Sequence, residues 1–220
     1  MTASSAVFGF LAIVAIFQAQ WQTAVFWMGT AAFIDAIDGG LSRRVQVKDV
    51  LPQFDGALLD NIVDYQTYVL VPALFVYQAG MVPLDWMFIT PALILLTSAY
   101  QFSQADAKTD DHYFKGFPSY WNVVVAYLFL LQTPLQVNLW VLLACAVLVF
   151  VPIKYLYPSR MTQFRKPTLA LGLIWMAMLL VALFQFPTVA HLRWAWLSLF
   201  YIVYYIGLSI YLMRRLKVAS

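Results

Sequence analysis

The chain is a succession of apolar runs separated by short polar breaks, the pattern of helices that cross a bilayer. A hydrocarbon core about 30 Å thick takes a helix of roughly 20 residues. On that measure eight runs stand out: Thr2–Phe17, Trp21–Ile37, Gly56–Tyr77, Leu84–Phe102, Pro118–Leu131, Leu135–Tyr155, Thr168–Phe186 and Leu192–Met213. No basic stretch precedes the first run, so it is expected to be a retained span and not a cleaved leader. The breaks differ in length. Those near Ala19, Gly80–Pro83, Thr133–Pro134 and Pro187–His191 are short and nearly uncharged, whereas Gly39–Asp55 and Ser103–Phe117 are long and polar.

Composition turns this pattern into a fold class. Of 220 residues, 63% are hydrophobic, 17% aromatic and only 10% charged, and the mean hydropathy is +0.78. Soluble domains carry roughly 25% charged residues, so a water-soluble fold is excluded, and so is disorder. The expectation is an all-α polytopic membrane protein with eight transmembrane helices, forming a single integral domain over residues 1–220. Charge then orients it. With eight spans, twelve of the thirteen basic residues fall on one side of the membrane, and only Arg193 lies opposite. The excess of Lys and Arg marks the cytoplasmic face, so both termini and both long polar loops are expected there. A net charge of +3, small and dispersed along the chain, does not suggest nucleic acid, and Lys and Arg clustered near the spans suggest the cytoplasmic leaflet instead. The lone Cys145 lies inside an apolar run and reads as a packing residue.

The acidic residues carry the chemistry. All ten are Asp, with no Glu, and Asp35, Asp38, Asp60 and Asp64 lie close together amid apolar sequence. Asp35 and Asp38 are three apart at the end of one predicted helix, and Asp60 and Asp64 are four apart at the start of the next, so each pair shares a face. The intervening loop returns to the same membrane side, and four carboxylates can converge at one depth. Four acids so placed repel unless something offsets their charge. Oxygen-only donors suit hard divalent cations, Mg²⁺ or Mn²⁺, one or two of them. Gly39 and Gly56 let a ligand approach the backbone closely. Arg43 offers a planar fork suited to phosphate. Metals and an arginine beside a membrane suggest phosphoryl-type transfer from a diphosphate.

This stretch resembles the signature of the CDP-alcohol phosphotransferase superfamily, Asp-x₂-Asp-Gly-x₂-Ala-Arg-x₈-Gly-x₃-Asp-x₃-Asp, at Asp35, Asp38, Gly39, Arg43, Gly56, Asp60 and Asp64. Ser42 replaces the Ala, and twelve residues, not eight, separate Arg43 from Gly56. That longer spacer is similar to the one in bacterial phosphatidylcholine synthases, as are Val45–Pro52 within it, the loop Lys108–Asn122 and the eight-span layout. The resemblance implies a CDP-alcohol phosphotransferase-like bundle in a bacterial inner membrane. It also implies transfer of a phosphatidyl group from CDP-diacylglycerol to choline with release of CMP. Carried over by position, Asp35, Asp38, Asp60 and Asp64 would ligate the metal. Asp64 would also take the choline hydroxyl proton, and Gly39, Arg43 and Gly56 would contact CDP-diacylglycerol. The family's habit of pairing also allows a homodimer.

Other readings stay open at this point. The acids could cap helices at the interface or line an ion path in a cation or amine transporter, though transporter acids usually sit near the midplane. The acceptor alcohol could be serine, inositol or glycerol phosphate, with Arg160, Arg165 and Lys166 supplying a cationic pocket. For choline, a quaternary ammonium, ring faces are the natural partner. Tyr65, Tyr100, Tyr113, Tyr120 and Trp121 lie near the cytoplasmic end, although any one of them could be an interface anchor.

Overall fold

The computed structural model describes residues 2–45, 53, 55–104, 113–156, 161 and 163–219, with side chains described for all of these except 38–45 and 215–219. Helix α1 (Thr2–Phe17) and helix α2 (Trp21–Val45) come first. A third rod follows, in three consecutive segments: α3 (Gly56–Asp64), a π-helical stretch (Tyr65–Leu70) and α4 (Val71–Gln78). After a 3₁₀ turn at Leu84–Trp86 come α5 (Ile89–Ser103), strand β1 (Tyr113–Lys115), α6 (Trp121–Leu130) and α7 (Leu135–Leu148). Strand β2 (Lys154–Leu156), α8 (Arg165–Phe184) and α9 (Val189–Ala219) complete the described chain.

The third rod is the hub. It packs against α1, α2, α5 and α6, and its Val69, Val71, Phe75 and Val76 are fully buried. Helix α1 comes close because its contact face is small, with Gly9, Ala12 and Ala15 turned inward. A Cβ on Gly9 would stand 3.0 Å from Thr67 Cγ2, so a larger residue there would push the two rods apart. Aromatic edges fill the centre: Phe75 meets Trp21 at 5.5 Å and Phe129 at 5.6 Å between ring centroids. The end of the bundle away from the acids is closed by buried hydrogen bonds. Asn138 Nδ2 donates to Met81 O (2.7 Å), and His191 Nε2 pairs with Leu130 O (2.9 Å). Partners of this kind are obligatory where water is excluded.

Helix α8 and the stretch Val189–Arg214 of α9 are each long and apolar enough to cross a bilayer, with hydropathies of 2.2 and 1.6. Thr2–Phe17, Trp121–Leu130 and Leu135–Leu148 are shorter apolar helices. Phe10, Phe88, Trp140, Phe184 and Val203 all lie exposed on the outer surface. Water does not favour so much exposed apolar surface, and lipid does. The architecture fits a polytopic membrane protein.

The elements depart from the run pattern in several places: α2 continues past Ile37 to Val45, into the break expected at Gly39–Asp55, and the run expected from Leu84 becomes α-helical only at Ile89. The run expected at Leu135–Tyr155 is helical only to Leu148. Its tail instead becomes β2, which pairs antiparallel with β1 in the register Tyr113↔Leu156, Phe114↔Tyr155 and Lys115↔Lys154. The run beginning at Pro118 turns helical only at Trp121. The cause is a tight knot between them. Gly116 sits at φ +78°, and a Cβ there would lie 2.2 Å from Val149 O. Gly116 N and Phe117 N donate to Ile153 O and Leu148 O, and Gln101 Nε2 donates to Lys115 O. Strand β2 rests on α9, where Ser209 Oγ accepts from Leu156 N (3.2 Å) and Tyr205 donates to Leu156 O (2.8 Å).

Candidate active site

Asp55 starts the site by starting its helix. Its Oδ1 accepts the backbone N–H groups of Ala57 and Leu58, both at 3.0 Å, satisfying donors that a helix start leaves open. The phase of α3 is thereby fixed, and Asp60 and Asp64, one turn apart, face the same way. Helix α2 supplies Asp35 from across the gap. One carboxylate oxygen each from Asp35, Asp60 and Asp64 lie within 4.8 Å of one another. All three residues are half-buried, and Asp64 Oδ1 is sealed from solvent.

Three carboxylates this close repel unless a cation or protons offset their charge. The donors are all hard oxygens, reached from two separate elements, which is a set that fits Mg²⁺ or Mn²⁺. Asp38, Gly39 and Arg43 belong to the part of α2 whose side chains lie outside the described residues. Most of the Arg43–Gly56 spacer and residues 105–112 lie outside them too. Gly56 opens α3, and a Cβ built there would meet nothing within 4 Å. Among the described residues, then, nothing requires a glycine at this position.

Immediately after Asp64 the helix widens into its π segment, whose closing bond runs from Val71 N to Gln66 O. Such segments recur at functional sites because they redirect side chains. Here the segment carries Tyr68, whose hydroxyl donates to Asp35 Oδ2 at 3.0 Å. The Tyr68 ring meets Tyr120 at 6.1 Å, and Tyr120 meets Phe114 edge-on at 6.3 Å. An aromatic wall thus stands beside the acids. Tyr68 is the residue beside the acids that the sequence reading did not single out. Its signal was present, because Asp60, Asp64 and Tyr68 form a stripe at four-residue spacing on one rod.

The other aromatic candidates are placed elsewhere. Trp121 is fully buried, donates Nε1 to Ser98 Oγ (2.7 Å) and stacks edge-on with Phe117. Its faces are covered by protein, so it serves the core and offers no surface to a cation. Tyr65 donates to Leu95 O (3.0 Å) with its ring against Phe102. Tyr100 is half exposed against Phe150. The Tyr113 ring has Lys154 Nζ 5.7 Å from its centroid. Of the five, only Tyr120 joins the wall next to the acids.

No family model matches the chain. It is 43% identical over 216 residues to the phosphatidylcholine synthase of Legionella pneumophila, covering 96% of this chain and 85% of that protein. To the phosphatidylcholine synthase of Legionella bozemanae it is 46% identical, covering 71% and 72% of the two chains. To that of Pseudomonas aeruginosa it is 37% identical, covering 80% and 74%. Identity of 37–46% over two thirds or more of each chain shows that the chain belongs to the phosphatidylcholine synthase family.

Proposed function

We propose that the chain transfers a phosphatidyl group from CDP-diacylglycerol to choline, releasing CMP. The observation that carries this is the convergence of Asp35, Asp60 and Asp64 from two helices, in a chain whose relatives bear the name phosphatidylcholine synthase over most of their length. Asp35, Asp60 and Asp64, joined by Asp38, would hold Mg²⁺ or Mn²⁺, one ion or two. When bound, the cation offsets the charge of the donor's diphosphate.

The residues do the rest. Asp64 takes the proton of the choline hydroxyl as that oxygen forms a bond to the phosphorus bearing the diacylglycerol. The bond from this phosphorus to the CMP oxygen breaks, and CMP leaves with its negative charge met by the Arg43 guanidinium. Gly39 and Gly56 give the diphosphate room against the backbone. Tyr120 and Tyr68 line the acceptor side, where a ring face stabilises a quaternary ammonium by roughly 0.5–2 kcal/mol. The arrangement of basic residues supports eight spans, both termini in the cytoplasm, and a site opening on the cytoplasmic face of a bacterial inner membrane.

The test is a detergent-purified assay with CDP-diacylglycerol, Mn²⁺ and a panel of alcohols. Choline should yield CMP and phosphatidylcholine in equal amounts, and a chelator should stop both. CMP release with serine, inositol or glycerol phosphate but not with choline would overturn the acceptor assignment.

A further inference from the structure

Helix α5 carries a buried hydroxyl with no part in the transfer chemistry. Ser98 is fully buried, and so is Ser119. Ser98 Oγ accepts from Trp121 Nε1 at 2.7 Å and from Ser119 Oγ at 3.2 Å. A serine oxygen has two acceptor positions, and both are taken. The two donors stand on either side of Tyr120 in the chain. A single atom of α5 therefore ties the residue before that ring and the residue after it.

The backbone between the two ties adopts an unusual conformation. Ser119 sits at φ +55°, in the left-handed region, which a residue with a side chain keeps only where its surroundings enforce it. Tyr120 follows at φ −76° and ψ 50°, neither helical nor extended, and no side chain caps the helix there. Trp121 then begins α6. Helix α5 also holds the segment of the facing ring. One turn before Ser98, Leu95 O accepts from the Tyr65 hydroxyl (3.0 Å), and Tyr65 opens the π segment that carries Tyr68. The Tyr68 and Tyr120 rings, 6.1 Å apart, thus take their places from adjacent turns of one helix.

We infer that Ser98 is a positioning residue for the acceptor side: by tying Ser119 and Trp121 it fixes the Tyr120 ring against Tyr68 and beside the acids. The inference rests on the reading of Tyr120 as a face for choline. A ring stabilises a quaternary ammonium only when it is close and turned toward the charge. A small swing of Tyr120 therefore weakens choline binding and leaves the lipid donor unaffected. A serine that merely satisfied the indole N–H in the core would act on stability alone.

The experiment measures KM for choline and for CDP-diacylglycerol, together with the thermal midpoint, in Ser98→Ala and Ser119→Gly. Glycine adopts positive φ freely, so the second variant keeps the backbone, loses only the hydroxyl, and decides the matter if Ser98→Ala does not fold. Each should raise the choline KM roughly three- to tenfold while staying within about twofold for CDP-diacylglycerol. In a Tyr120→Leu background neither substitution should raise the choline KM further, because effects that pass through one ring do not add. Tyr127→Phe, which breaks another buried hydrogen bond, should lower the thermal midpoint and leave both KM values unchanged. An unchanged choline KM in either folded variant would overturn the inference. So would an equal rise for both substrates, or the same rise in the Tyr120→Leu background. Failure of the underlying reading looks different: the unaltered enzyme would then release no CMP with choline, or Tyr120→Leu alone would keep the original choline KM, and the positioning role would fall with it.

Discussion

Removing a single hydroxyl tests how the acidic cluster is held. Tyr68→Phe deletes the hydrogen bond to Asp35 Oδ2 at 3.0 Å while keeping the ring beside Tyr120. A hydroxyl donating to a carboxylate is a charge-assisted bond worth about 1.5–3 kcal/mol. Part of that energy fixes the carboxylate rotamer, because Asp35 reaches the cluster from a different helix than Asp60 and Asp64. Groups that orient a metal ligand typically change metal affinity by roughly 10–100-fold, equivalent to about 1.4–2.8 kcal/mol. The Mn²⁺ concentration for half-maximal CMP release should rise by that factor. Metal-induced thermal stabilisation of the detergent-solubilised protein should shift to higher Mn²⁺ in parallel, which separates binding from turnover. Tyr127→Phe is the control: it removes a hydroxyl paired with Ser198 and Trp175. That variant should lower stability and leave the Mn²⁺ midpoint unchanged. An Mn²⁺ midpoint for Tyr68→Phe within twofold of the original, or a tighter one, would refute the positioning role.

Asp35→Asn, Asp60→Asn and Asp64→Asn should each abolish CMP release, whereas Asp85→Asn, in the 3₁₀ turn, should be almost neutral; turnover retained in two of the three cluster variants would remove the metal assignment. Tyr120→Leu should raise the KM for choline several-fold with little change for CDP-diacylglycerol, while Trp121→Leu should lower thermal stability, as loss of a buried ring costs about 3–5 kcal/mol. Gly116→Ala should cost about 1–3 kcal/mol because of its positive φ and the carbonyl in its path, read as a fall in melting midpoint. In a Cys145→Ala background, a cysteine at position 217 should react with impermeant maleimide only after the inner face is opened.

The helices were legible because lipid enforces a simple code. Long apolar runs at Thr2–Phe17 and Thr168–Phe186 correspond closely to α1 and α8, and the short uncharged breaks mark real turns. The acidic cluster was legible for a similar reason: spacing of four on one rod fixes a common face, and aspartate has few other uses amid apolar sequence. The strands were hidden, since Lys154–Leu156 continues an apolar run and only its partner Tyr113–Lys115, forty residues away, makes it a strand. Trp121 was misleading for a related reason. Its neighbour Tyr120 faces the acids, but one step along the chain turns the indole into the core, where Ser98 takes its N–H. Neighbours in sequence do not share a face of a helix. For Tyr68 the stripe with Asp60 and Asp64 shows in the sequence, but the bridge to Asp35 on the other rod does not.

The ribbon of β1 and β2 has a consequence for how the enzyme is made. Tyr120 is aimed by a segment whose strand is secured through Leu156 to Tyr205 and Ser209 on α9. Nearly a hundred residues of synthesis separate Tyr113 from Ser209, about 5–20 s at ordinary elongation rates. Every aspartate is synthesised well before the anchor of the ribbon exists. A nascent chain therefore completes its acid-bearing helices well before the last helix, which holds the ribbon that leads to Tyr120, has been made.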